Sequence, residues 1–176
     1  MFTGWGNYFF MVGSAAAALI GLMFIVATLT AGRDQSQLEP GKKLYTSPIV
    51  WHLGVVLVLS GAAVAPSMMP RWFGLFAILL AATGALYSLR IAVGIARAQL
   101  AANFSGYDMF WYGLAPAVAY VALGASAIGI IYAEPWGASA VAATAMALLL
   151  ISIHNEWDLV TFLAPNAPGA ALRPKD

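Results

Sequence analysis

Five stretches of this chain are apolar for about as long as a bilayer is thick, and that feature leaves few folds open. Crossing the hydrocarbon takes roughly 20 apolar residues at 1.5 Å each. The stretches run at about 8–30, 48–65, 72–98, 109–132 and 137–163. Inside lipid every backbone polar group must be satisfied within the protein, so each stretch is expected to be a helix. Composition agrees. Hydrophobic residues make up 62% of the chain and charged residues 9%, against roughly 25% charged in a soluble domain. The expected fold is an all-α integral membrane bundle of five transmembrane helices over residues 1–164, with no separate soluble domain.

Local signals mark the ends. Ser47 is placed to cap the second helix, Pro48 suits its first position, and Pro66 ends it. The third and fifth stretches are long enough to require tilt or protrusion. Pro116 lies inside the fourth, where it removes a backbone hydrogen bond and is expected to kink the helix. No Lys or Arg precedes the first stretch, whose apolar run exceeds a signal-peptide core, so it is read as a retained span. The tail "PNAPGAALRPKD" (residues 165–176) has the composition of a disordered segment.

Charge sets an expected orientation. Arg33, Lys42, Lys43, Arg97, Arg173 and Lys175 all fall at one end of a five-helix bundle, and Arg71 alone falls at the other. The positive-inside rule then places the N-terminus outside and the C-terminus and its tail in the cytoplasm. The net charge of +1 and the absence of a basic stripe give no reason to expect nucleic acid. With no cysteine, disulfides, thiolate metal sites and a Cys nucleophile are excluded. No nucleophile elbow, P-loop, HExxH or dinucleotide fingerprint occurs, so no catalytic residue is named and no enzymatic role is expected. Trp5, Tyr8, Trp51, Trp72, Trp111, Tyr132 and Trp136 lie near span ends, the pattern of an aromatic belt at the headgroups.

Small residues recur at helical spacing. Gly13, Ala17 and Gly21 do so in the first helix, and Ala125 and Gly129 in the fourth. Such faces let helices approach closely. They serve contacts within one monomer, association of identical copies, or packing against other membrane proteins.

Several segments carry a resemblance. These are the opening "GWGNYFFMVGSAAAALIGLMFIVATL", the middle "YTSPIVWHLGVVLVLSGAAVAP", "GALYSLRIAVGIAR" and "WYGLAPAVAYVAL", and the closing "ISIHNEWDLVTFLA". Together they resemble a widespread family of small five-span bacterial membrane proteins, whose closing pattern is roughly I-x-I-(H/R)-N-x-W-D-L-V. Asn155, Trp157 and Asp158 fall on that pattern and Glu156 on its variable position. The resemblance implies a multi-pass protein of the bacterial inner membrane and brings no activity with it.

The polar residues of the spans gather at one depth. His154, Asn155, Glu156 and Asp158 lie near the basic end of the fifth helix, Tyr87, Arg90 and Arg97 near that end of the third, and His52 near that end of the second. Lone charges there cost about 2.5–3.5 kcal/mol at a helix centre, less toward the interface. Mutual pairing removes much of that cost. A three-helix cluster is therefore expected, with Arg90 gripping Asp158 or Glu156. It is read as a site that binds or passes a small solute, ion or proton. The alternatives are a structural network fixing helix register, and an accessory or scaffold subunit without a ligand. No cofactor is expected as the main reading. A haem held by His52 and His154, or zinc on His52, His154 and Asp158, stays open as a minor alternative.

Overall fold

The computed structural model describes residues 2, 4–30, 35–99 and 106–163, with side chains described for 2, 4–28, 47–97 and 106–161. Residues 165–176 and the cations Arg33, Lys42, Lys43, Arg173 and Lys175 therefore lie outside the described side chains. Among the described residues the only regular structure is helix. We label the helices α1 (Gly6–Thr30), α2 (Gln35–Val64), α3 (Pro70–Gln99), α4 (Gly106–Ile131) and α5 (Gly137–Leu163). Each contains a segment long and apolar enough to cross a membrane, the shortest being Ser47–Val64. The widest departure from the sequence expectation for these segments is the start of α4, at Gly106 rather than 109.

One boundary is corrected. The helix containing the second span begins at Gln35 and runs through Pro40 and Pro48, so Ser47 sits within it and does not cap it. The Ser-Pro pair marks where the chain turns apolar, not where helix begins. Residues 35–46 include Gln, Leu, Glu and Lys, which are good helix formers.

α5 is the axis of the packing. It lies against α1, α2 and α4, whereas α3 packs mainly along α4 and touches α2 sparingly. Val141, Ala145, Leu148, Ser152, Asn155 and Leu159 of α5 are all buried. Their alternating spacing of four and three residues is that of a helix-packing seam, and Asn155 falls on it. Around the outside, Phe10, Phe24, Val118, Val121 and Trp157 are exposed, as lipid-facing side chains are.

α3 and α4 approach closely because glycines line the contact. A Cβ on Gly113 would lie 2.6 Å from the Cβ of Ala92 and 2.9 Å from its Cα. One on Gly84 would sit 2.3 Å from the Tyr120 ring. At the far end of α4 the chain turns back through Ala133, whose φ is 57°. Glu134 N–H bonds Gly129 O at 2.9 Å and Ala133 N–H bonds Ile130 O at 3.1 Å, the Schellman arrangement. Gly137 follows, with room for no side chain: its Cβ would meet Ile130 N at 2.9 Å.

The small-residue stripes divide. Gly13 packs on α2, where its Cβ would lie 3.0 Å from that of Ser60. Ala17 and Gly21 are exposed, and a Cβ on Gly21 would meet nothing within 4 Å. Ala125 is exposed too, and Gly129 faces the Trp136 ring of the connecting turn, not another helix. Among the described residues these stripes therefore do not form continuous contacts between helices of one chain, and Ala17, Gly21 and Ala125 are left open on the surface. Residues four apart are rotated by about 40° per step, so the face that starts on α2 at Gly13 has turned away by Gly21.

Candidate functional site

Pro116 governs the basic-end half of α4. It does so through a π-helical turn, Phe110–Leu114, which stands just before it. Ala115 N–H bonds Phe110 O instead of Trp111 O. The only other donor in register for Trp111 O belongs to residue 116, which is a proline and has no N–H. The Trp111 carbonyl is thus orphaned within its own helix. Asn155, on the α5 seam, fills the gap: its Nδ2 donates to Trp111 O at 3.1 Å. Tyr112 returns the contact, its hydroxyl donating to Asn155 O at 3.0 Å and lying 3.5 Å from Asp158 Oδ2. A wider turn absorbs the proline, with a side chain from the neighbouring helix closing it.

His154 flanks this joint. Its ring lies on the Trp111 indole with centroids 3.9 Å apart and planes 30° apart. Its Nε2 shares a hydrogen bond of 3.0 Å with the Tyr107 hydroxyl. Asp108, on the first turn of α4, is near enough to Asp158 for the two carboxylates to interact electrostatically. The α4–α5 contact therefore holds Tyr107, Asp108, Trp111 and Tyr112 against His154, Asn155 and Asp158.

His52 belongs to a second group. It is fully buried and its Nδ1 shares a 2.8 Å hydrogen bond with the hydroxyl of Tyr120 on α4. Its neighbour in sequence, Trp51, packs its ring on Tyr87 of α3 with centroids 5.5 Å apart. The Tyr120 ring can occupy this position because residue 84 has no side chain. His52 Nε2 is buried without a hydrogen-bond partner among the described residues.

The expected three-helix cluster is therefore corrected. It divides into an α4–α5 group and an α2–α3–α4 group, and Arg90 belongs to neither. Arg90 and Arg97 are exposed and form no ion pair among the described residues. Arg90 is held away because the glycine-lined face of α3 packs on α4, turning the arginine outward. Glu156 also departs from expectation. It shares a seven-residue stripe with Ala142 and Leu149, all three buried, and Ala142 O accepts the hydroxyl of Tyr8 from α1 at 2.8 Å. That stripe faces α1, across the helix from Asp158. Glu156 Oε2 is buried with no partner among the described residues.

The residues missed were those of α4. "GYDMFWYG" begins at the same end as α2, so the depth argument that gathered the other polar groups applies to it equally. Trp111, Tyr8 and Trp51 make specific contacts within the bundle, while Trp72, Tyr132 and Trp136 are exposed at the Arg71 end. The two histidines are each tied to a different tyrosine, so the facing pair that a two-histidine haem needs is not assembled. Among the described residues no three His, Asp or Glu side chains come together as a metal set, which removes the zinc alternative on His52, His154 and Asp158. No protein-family model, curated protein or solved structure matches the chain.

Proposed function

We propose that this multi-pass protein sits in the bacterial inner membrane with its basic end in the cytoplasm, and that it binds and passes a proton or small cation through Glu156. The placement rests on the sequence resemblance and the charge asymmetry. Cysteine introduced at Ser67 or Gly106, both exposed and at opposite ends, tests the orientation. An impermeant maleimide added to whole cells is expected to label position 67 and spare 106. The reverse pattern would invert the topology.

The observation carrying the activity is the buried carboxylate oxygen of Glu156, unpartnered among the described residues. Burying an isolated charge is so costly that such a group takes up a proton or a cation instead, and intramembrane acids mark ion and proton routes. Asp108 and Asp158 add a pair of carboxylates at the α4–α5 contact, on the opposite side of α5 from Glu156. Proteoliposomes loaded with a pH-sensitive dye, under an imposed potential, supply the test. The wild type is expected to shift internal pH well above empty vesicles, with Glu156→Gln reducing the rate at least tenfold. A wild type no faster than empty vesicles would end this reading.

A scaffold role is the second reading, and one observation favours it: Ala17 and Gly21 leave a bare, exposed strip on α1. Purification from native membranes with an unrelated protein in fixed stoichiometry, combined with no flux, supports the scaffold.

A further inference from the structure

We propose that the groove between α2 and α3 holds an acyl chain of an anionic phospholipid, and that Arg90 grips the phosphate of the same molecule. The groove has a volume of about 690 Å³ and is lined by Ser47, Trp51, Gly54, Val58, Leu80 and Tyr87, among others. It exists because α3 packs along α4 and touches α2 little. Gly54 deepens it, since a Cβ there would meet nothing within 4 Å. The walls are almost wholly apolar and open sideways from two membrane-spanning helices, so the occupant is a hydrocarbon chain.

Arg90 identifies the rest of the molecule. It stands one turn beyond Tyr87 on α3, and residues three apart share a helix face. It is exposed and has no ion pair among the described residues. Its depth is informative as well. The segment Pro70–Arg97 is about 40 Å long at 1.5 Å per residue, close to a bilayer including its headgroups. Arg90, seven residues from the end, then lies about 10 Å inward, at the edge of the hydrocarbon. An unneutralised guanidinium there is costly, and its long stem lets the head reach the phosphate level. Its planar donors match two phosphate oxygens at once. Arg97, two turns further along the same face, adds positive charge that favours a headgroup without a competing ammonium.

Native mass spectrometry of the full-length protein in dodecyl maltoside tests this. The probes are phosphatidylglycerol and phosphatidylcholine with identical palmitoyl and oleoyl chains. The wild type is expected to retain one phosphatidylglycerol at least fivefold more than phosphatidylcholine. Arg90→Gln should remove that preference, and Arg90→Lys should keep part of it. Gly54→Leu, whose Cβ meets nothing within 4 Å and whose branched end occupies the groove, should reduce retention of both lipids. Arg71→Gln, at the opposite end, should change neither, and Glu156→Gln should leave lipid binding intact, separating this site from the proton reading. Equal retention of the two lipids by the wild type overturns the proposal, as does a preference that survives Arg90→Gln. A groove closed by a second copy, seen as a dimer that Gly54→Leu dissociates and lipid does not, overturns it too.

Discussion

Replacing Asn155 with leucine is expected to destabilise the bundle by about 1–3 kcal/mol, the usual cost of leaving a buried acceptor without its partner. The size of the side chain is nearly kept, so the loss reports the orphaned Trp111 carbonyl and not a cavity. A second substitution makes the argument specific. Pro116→Ala restores an N–H at 116 and lets the π turn relax to α, in which Ala115 N–H serves Trp111 O within the helix. In that background Asn155→Leu should cost less than half as much. Unfolding in mixed detergent micelles, followed by helicity, measures all four proteins. Equal losses with and without Pro116 would show that the asparagine does not serve the turn.

Gly113→Ala is expected to be at least as damaging, near or above the roughly 1–3 kcal/mol typical of overpacking. The added methyl would meet Ala92 at 2.6 Å from its Cβ and 2.9 Å from its Cα. A side chain can swing away from such a clash; backbone cannot, so α3 and α4 must separate. Gly84→Ala should also destabilise, by pushing the Tyr120 ring off α3 and stretching its bond to His52. Gly124→Ala on the same pair of helices is the internal comparison. Its Cβ would lie 3.6 Å from that of Ala81, an ordinary contact, and helix propensity favours alanine by about 1 kcal/mol. It should be neutral or mildly stabilising in the same assay. Indifference to Gly113→Ala, or a large loss for Gly124→Ala, would refute this account of the packing.

How much of this was legible beforehand follows from what each physical rule encodes. Span length depends only on hydrophobicity and bilayer thickness, so the five apolar segments could be placed to within a few residues. Depth was also readable, and the polar groups of α2 and α5 do lie toward the basic end. Azimuth was not. Depth alone matches Arg90 with Asp158 or Glu156, but which way a residue faces depends on which helices touch. Glycine spacing alone did not reveal that α3 docks on α4 and not on α5. The seam through Val141, Leu148 and Asn155 could have been traced in the sequence, and it would have separated Asn155 from Glu156. The π turn was out of reach. Pro116 announced a lost hydrogen bond, yet whether a helix kinks or widens is decided by the donor available next door.

The widened turn in α4 also bears on how the protein is made. Helices enter the bilayer in chain order, so α4 arrives before α5 and does so with the Trp111 carbonyl lacking a protein donor. Until Asn155 is synthesised and docked, that group must keep water or a headgroup close, which holds the first turns of α4 near the interface. The Schellman turn at Ala133 and the side-chain-free Gly137 bring α5 back against α4 within a few residues. The last two helices are thereby suited to enter as one hairpin, with the later helix completing the hydrogen bonding of the earlier one.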